Sequence, residues 1–336
     1  MTPLQVSVII CTKNRSEDLE LTLKSVFSQT RLPDSLVLVD DSDGEVARMI
    51  LETFCRESPV CGIYVHSDPA NSGLPAARNR GIQNVPSPRG IILFLDDDVT
   101  LEKNYTRTLL ELFERNPDVV GASGFIRNQY HDRSFPMKLL LLMSGCIIPA
   151  LVPVSLFGPR VTWTAEALYP LYRKPWADTV PAQWLSGCNM AYRSTVFSEG
   201  FTFDEHLVRY AQGEDVLFSH RLYRDGKKLL LSYDAHLTHR ISVDSRISPF
   251  RKLAMIFGYR NYEISRVIHS RLSMSFLYTV FVIQYILSTV ILSIKDKKGL
   301  PSVNEVIRAY GMTREFEEEI RSGNLERFND FLSTLP

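Results

Sequence analysis

Five apolar, β-branched runs in the first 126 residues constrain this chain most: VSVIICT, SLVLVD, GIYVHS, GIILFLD and DVVGASGFI. Each is short and nearly continuous, the pattern of a strand buried on both faces. Segments with helical periodicity alternate with them. Ser16 is placed to cap the first, whose apolar positions Leu19, Leu23, Val26 and Phe27 run towards Gln29. Val46 to Phe54, a stretch opening near Pro75, and Leu101 to Arg115 supply the others. Strands separated by helices imply βαβ units and a mainly parallel sheet. Ligands of such sheets bind beyond the carboxyl ends of the strands.

That edge is where the unusual polar residues fall. Thr12-Lys13-Asn14-Arg15 follows the first strand, Asp40-Asp41 the second, and Asp96-Asp97-Asp98 the fourth. Unit charges about 4 Å apart repel by roughly 4 kcal/mol at a protein surface, so three adjacent carboxylates call for relief. A divalent cation is the simplest occupant, and hard oxygen ligands suit Mg²⁺ or Mn²⁺ bridging to phosphates. A solvated acidic loop is the plain alternative for this stretch alone. Arg78 and Arg80 bring positive charge to the region, and Glu214-Asp215 opens a helix further on, where a carboxylate suits the dipole and can act as a general base.

Charge is balanced, Lys+Arg 38 against Asp+Glu 38, so no basic field argues for nucleic acid. Five cysteines without a C-x-x-C pair suggest a reducing compartment, and the N-terminus lacks the pattern of a cleaved signal. Two uncharged runs stand out. Leu139 to Gly158 contains Pro149 and Pro153, which fit an interfacial or re-entrant element better than a straight span. Ser273 to Ile294 is long enough for a bilayer core, with a buried helix as its competitor.

Taken in order, VSVIICTKNR, SVFSQT, LVDDSD, NSGLPAARNRG, FLDDDV and GEDVLFSHRL resemble the glycosyltransferase family 2 enzymes, over about residues 5 to 240. The resemblance implies a GT-A fold: a Rossmann-like, mixed but mainly parallel α/β sheet flanked by helices. It implies inverting transfer of a sugar from a nucleotide diphosphate sugar, with Mn²⁺ or Mg²⁺ on the diphosphate. Thr12, Asn14 and Arg15 would line the nucleotide pocket, Asp41 would contact the base, and Arg78 would lie near the nucleotide. Asp96, Asp97 and Asp98 match the family's D-x-D motif, with Asp98 as metal ligand and Asp96 nearer the ribose. Asp215 takes the general-base position. Trp184, Gly187 and Asn189 would shape the donor-sugar and acceptor pocket, and His239 would be a further ligand of metal or diphosphate.

The C-terminal third resembles membrane-bound members of the family, closest to archaeal mannosyltransferases of glycan assembly. The implied plan is a catalytic domain over 1–245 with an apolar, membrane-facing insertion at 139–158. An amphipathic interface helix at 246–272 follows, then a transmembrane or re-entrant helix at 273–294 and an amphipathic tail at 295–336. The Q-x-x-R-W motif of processive enzymes is absent, which speaks against polymerisation. The expected donor is GDP-mannose and the expected acceptor a lipid-linked glycan at the cytoplasmic face of a membrane, a UDP-sugar donor being the alternative. A non-catalytic nucleotide-sugar-binding protein would not need Asp215. A Rossmann dehydrogenase would need glycines that CTKNRS lacks.

Overall fold

The computed structural model describes residues 4–66, 73–86, 89–128, 158–161, 164–165, 167–170, 177–208, 211–240, 248–267, 271–293 and 302–335. The apolar run 139–158 therefore lies outside the described residues except for Gly158.

Strands β1 (Val6–Thr12), β2 (Ser35–Asp40), β3 (Cys61–His66) and β4 (Ile91–Asp96) alternate with helices α1 (Ser16–Phe27), α2 (Val46–Cys55) and α3 (Leu74–Gln83). These four strands are parallel, in the order β3-β2-β1-β4. Register aligns their ends: Thr12 pairs with Asp40, and Cys11 with Asp96. The polar residues after each strand thus meet at one edge.

Two boundaries differ from expectation. Arg15, not Ser16, precedes the first helical turn, and no side chain caps it. Leu101 ends a three-residue strand, β5 (Val99–Leu101), and helix α4 starts only at Tyr105 (Tyr105–Arg115). The short strand is claimed by a distant partner, which local periodicity does not report.

Strand β6 (Val119–Ile126) and the small pair β7 (Arg160–Val161) and β8 (Ala167–Leu168) follow, then β9 (Thr179–Ala182) and β10 (Met190–Arg193). Helices α5 (Thr195–Ser198) and α6 (Glu214–Arg224) lead to the long β11 (Lys228–His239). β10 inserts antiparallel between β4 and β6; β11 runs parallel to β6 and antiparallel to β5. The sheet is therefore mixed, as expected. One core of Ile10, Leu23, Leu38, Leu93 and Phe113 fills one face, and another of Val37, Phe94, Tyr192 and Phe218 fills the other.

The C-terminal helices are α7 (Pro249–Val267), α8 (Arg271–Ser293), α9 (Val303–Thr313), α10 (Glu317–Ser322) and α11 (Glu326–Thr334). Among the described residues no helix is long and apolar enough to cross a membrane. α8 buries Met274, Leu277, Tyr278, Phe281 and Val282 together with Leu253 and Phe257 of α7 and Val306 and Ala309 of α9. At about 1.5–3 kcal/mol per fully buried side chain, that packing alone can hold the helix in place. The tail returns to the catalytic body, where Phe316, Ile320, Phe328 and Leu332 pack with Leu207 and Ala211. α8 thus lies between α7 and α9, and the tail beyond it packs back on the catalytic body.

Candidate active site

The triple aspartate separates by direction. β4 ends at Asp96, Asp97 and Asp98 form the turn before β5, and Asp97 points back to β1. It is 3% exposed, accepts from the Thr12 hydroxyl at 2.8 Å and pairs with Arg15 at 3.2 Å. Burial pushes its carboxyl up to about 6, against the pull of Arg15 and Thr12. Thr12, Arg15 and Asp97, all expected at the nucleotide, thus also pin the turn after β1 to the tip of β4. Arg240 locks the same corner: its guanidinium donates to the carbonyls of Val99 (2.7 Å), Asp18 (2.7 Å) and Asp97 (3.3 Å). Sequence reading missed Arg240, whose only local signal is its place next to His239.

Asp96 and Asp98 face the other way. β11 carries a register irregularity between Ser232 and His236, and its end pairs His239 with Val99. That places His239 Nε2 2.9 Å from Asp98 Oδ1. Burial lowers the imidazole's proton affinity, but hydrogen bonding to Asp98 and Cys188 outweighs it and raises its pKa to about 11. One ligand atom each from Asp96, Asp98 and His239 lies within 4.8 Å of the others. Two carboxylate oxygens and an imidazole suit Mn²⁺ or Mg²⁺, so the residues fit the implied cation.

At the tip of β2 the acids divide similarly. Asp40 is fully buried, accepting from Tyr64 at 3.0 Å and from the Ser42 amide at 2.9 Å. Asp41 is half-buried, and its Oδ1 meets no donor among the described residues. Such an orphaned oxygen is a natural acceptor for a ligand's N–H or O–H. Asn14, left-handed at φ 54°, anchors its amide on Ser42 Oγ at 2.8 Å and leaves its side chain exposed beside Asp41.

Arg78 lies behind the same edge, in contact with Asp96. It is 2% exposed and saturated by protein: Nη1 binds Glu214, and Nη2 reaches the Gly187 carbonyl at 3.0 Å and Asp96 at 3.4 Å. Its guanidinium also lies over Phe203 at 5.5 Å. Burial opposes its charge, yet Glu214 and Asp96 hold its pKa above the ordinary value. The buried pair ties α3 to the first turn of α6 behind the metal edge. Its partner Glu214 is raised to about 7 by burial and by the neighbouring Asp215, against Arg78.

Asp215 stands in the first turn of α6. Its Oδ2 accepts from the Gly187 amide at 2.8 Å, and Oδ1 from the Val216 amide at 2.9 Å. Burial raises its pKa above the carboxylate norm, with the Gly187 bond opposing. Gly187 leaves little room for a side chain: a Cβ would lie 3.0 Å from Arg78 Nη2 and 3.2 Å from Asp215 Cβ. So Asp96, Arg78, Gly187 and Asp215 form one connected chain from the metal edge to the base.

Trp184 and Asn189 are held by backbone carbonyls. The Trp184 indole donates to the Leu168 carbonyl at 3.2 Å, and fully buried Asn189 donates to the Gly124 carbonyl at 2.7 Å. Both tether the segment entering β10, and Asn189 Oδ1 lies against the Cys188 thiol at 3.8 Å.

Residues 7–201 match the model of Glycosyl transferase family 2. A Haloferax volcanii protein named glucosyl-dolichyl phosphate glucuronosyltransferase is 30% identical over 248 residues, covering 71% of this chain and 70% of that one. Escherichia coli chondroitin synthase is 26% identical over 230 residues, 66% of this chain but only 32% of the relative. Among solved structures, GalNAc-T7 with UDP, GalNAc and Mn²⁺ superposes with a TM-score of 0.57 at 18% identity, over 79% of this chain and 51% of that one. Staphylococcus aureus TarS 1-349 gives 0.53 at 16% identity, over 96% and 83%. At these identities the two structures speak to the fold alone.

Proposed function

The chain belongs to glycosyl transferase family 2, and from that premise we propose that Asp215 is the general base of an inverting transfer from a nucleotide diphosphate sugar to a lipid-linked glycan. The observation that carries this is the connected chain Asp96–Arg78–Gly187–Asp215, which fixes a carboxylate base at a set distance from a cation-binding edge.

The acceptor hydroxyl gives its proton to Asp215 as its oxygen bonds to the anomeric carbon. The bond from that carbon to the nucleotide diphosphate breaks in the same displacement, and configuration inverts. A divalent cation held by Asp96, Asp98 and His239 would neutralise charge on the departing diphosphate. Asp41 and Asn14 bind the nucleoside end, Asp41 through its unpaired oxygen. The raised pKa of Asp215 makes it a better proton acceptor than an exposed carboxylate.

The expected donor, GDP-mannose, rests on the family resemblance. The similarity to a glucuronosyltransferase that acts on a glucosyl-dolichyl phosphate favours a glucuronosyl or glucosyl donor instead, and supports a polyprenol-linked acceptor. Association with a membrane surface is part of the same reading, supported by α8, which exposes Phe276, Ile283, Leu287 and Val290. Replacing Phe276, Ile283 and Leu287 together with serine should abolish flotation with anionic vesicles, and undiminished flotation ends the surface reading.

The decisive test is a donor screen with Mn²⁺ and a glucosylated prenyl phosphate, run on wild type and Asp215→Asn. The variant should keep nucleotide-sugar affinity and lose transfer by about 10³-fold or more. Near-normal transfer removes Asp215 from the role of base.

A further inference from the structure

Glu263 is a buried acid that nothing assigned to the strand edge uses. It stands on α7, is 3% exposed, and its Oε2 accepts from Arg260 Nη1 at 2.7 Å. Arg260 is itself seated over the Phe281 ring of α8 at 5.4 Å. Taking such a pair out of water costs several kcal/mol per ion, a cost that an apolar side chain would not carry.

What the acid touches is the turn that carries Asp215. Gly213 stands just before Glu214-Asp215 with φ 90°, a left-handed conformation that favours glycine. Glu263 Oε1 occupies the place where a Cβ at residue 213 would stand. Glycine is thus demanded twice, by the backbone and by the carboxylate, and α7 closes on the amino-terminal end of α6 with its acid against main chain. A carboxylate there also meets the positive end of the helix dipole.

Two charges act on Glu263: Arg260 from its own helix and Asp215 from α6. Arg221 and Arg224 of α6, Arg266 of α7 and Asp204 line the cavity of about 390 Å³ that Glu263 borders. There Asp204 is taken up by the Tyr262 hydroxyl at 2.5 Å, and Arg221 and Arg266 lie over Phe201 and Tyr262. Burial raises the Glu263 carboxyl to about 7, against Arg260, and the charge of Asp215 adds to the rise. The interaction is mutual, so an ionised Glu263 increases the affinity of Asp215 for a proton.

We propose that Glu263 is a positioning residue for the base: wedged against Gly213, it fixes the turn that presents Asp215 and sets a second carboxylate charge behind it. This rests on the reading of Asp215 as the base.

In carbon-13 NMR of the full chain labelled at its aspartate carboxyls, with Mg²⁺ present, the signal missing from Asp215→Asn belongs to Asp215. Its titration in wild type minus that in Glu263→Gln should leave a step at about 7. Glu214, also raised to about 7, is common to both curves and cancels. Arg260→Gln takes away the counter-charge and should move the step to higher pH, which keeps the test alive if Glu263→Gln does not fold. In transfer to a glucosylated farnesyl phosphate, Glu263→Gln should lower kcat by about threefold to tenfold at about pH 8 and leave it unchanged at about pH 5.5, with KM unaltered at both. Superposable titrations of wild type and both variants overturn the proposal, as does an equal loss of kcat at the two pH values, the mark of a side chain that only braces the fold. Near-normal transfer by Asp215→Asn would instead remove the base reading, while the titration of Asp215 would stand as it was.

Discussion

The tips of β2 and β4 pose the same problem, adjacent carboxylates at the end of a buried strand, and they sort it in parallel ways. At β2, Asp40 turns inward to the Tyr64 hydroxyl and Asp41 keeps one oxygen without a donor among the described residues. At β4, Asp97 turns to Thr12 and Arg15, and Asp96 and Asp98 gather with His239. The difference lies in the partner. Neutral donors suffice for one inward acid, but three acids in a row need a cation behind them and a second cation in front. The carboxylates left over differ accordingly: one unpartnered oxygen at β2, and at β4 a pair grouped with an imidazole in an arrangement that fits a cation.

This contrast can be broken most sharply at Asp98. Asp98→Ala should lower transfer by about 10³-fold and flatten the Mn²⁺ dependence, the scale of a lost charge contact at a metal site; a saturable Mn²⁺ response of normal strength would show that the outward pair does not chelate. Next is the inward acid. Asp97→Ala strands Thr12 and Arg15 and should cost about 3–5 kcal/mol in urea unfolding, whereas Asp40→Ala, deprived only of neutral partners, should cost about 1–3 kcal/mol. Equal costs would erase the distinction between the two tips. Asp41→Ala should raise donor KM by about tenfold with little change in kcat, the cost of one ligand hydrogen bond.

The smallest effect is on pH. Asp97 is raised from 3.8 to about 6, so the folded chain binds more protons than the unfolded one between those values. Its contribution is then most favourable below 3.8 and is lost as pH rises through about 6. In metal-free protein Asp97→Asn should remove that downward slope, and an unchanged slope would assign it to other groups.

Much of this was legible in the sequence because it is local. VSVIICT and GIILFLD have to be buried strands, and whatever follows them has to stand at one edge. The division of labour among Asp96, Asp97 and Asp98 was not legible to the same degree, since it depends on β11 arriving with an irregular register to set His239 against Asp98. Arg78 looked like a ligand for phosphate because its partner Glu214 lies 136 residues away. Ser273 to Ile294 has enough apolar residues for a crossing, but periodicity alone does not say that α7 and α9 cover one of its faces. Trp184 and Asn189 sit in a segment that does shape the site, yet through Gly187, the residue without a side chain.

The position of β10 has a consequence for the order in which the chain can assemble. Residues 190–193 separate β4 from β6, so the two halves of the sheet have no shared seam until that strand arrives. On a ribosome adding roughly 5–20 residues per second, several seconds pass between the emergence of β6 and that of β10. Throughout that interval the Ile91–Leu93 edge of β4 is an open hydrogen-bonding template of apolar residues. A nascent chain of this design should therefore depend on a holding chaperone for that window, and slowing translation between residues 126 and 190 should lower its soluble yield.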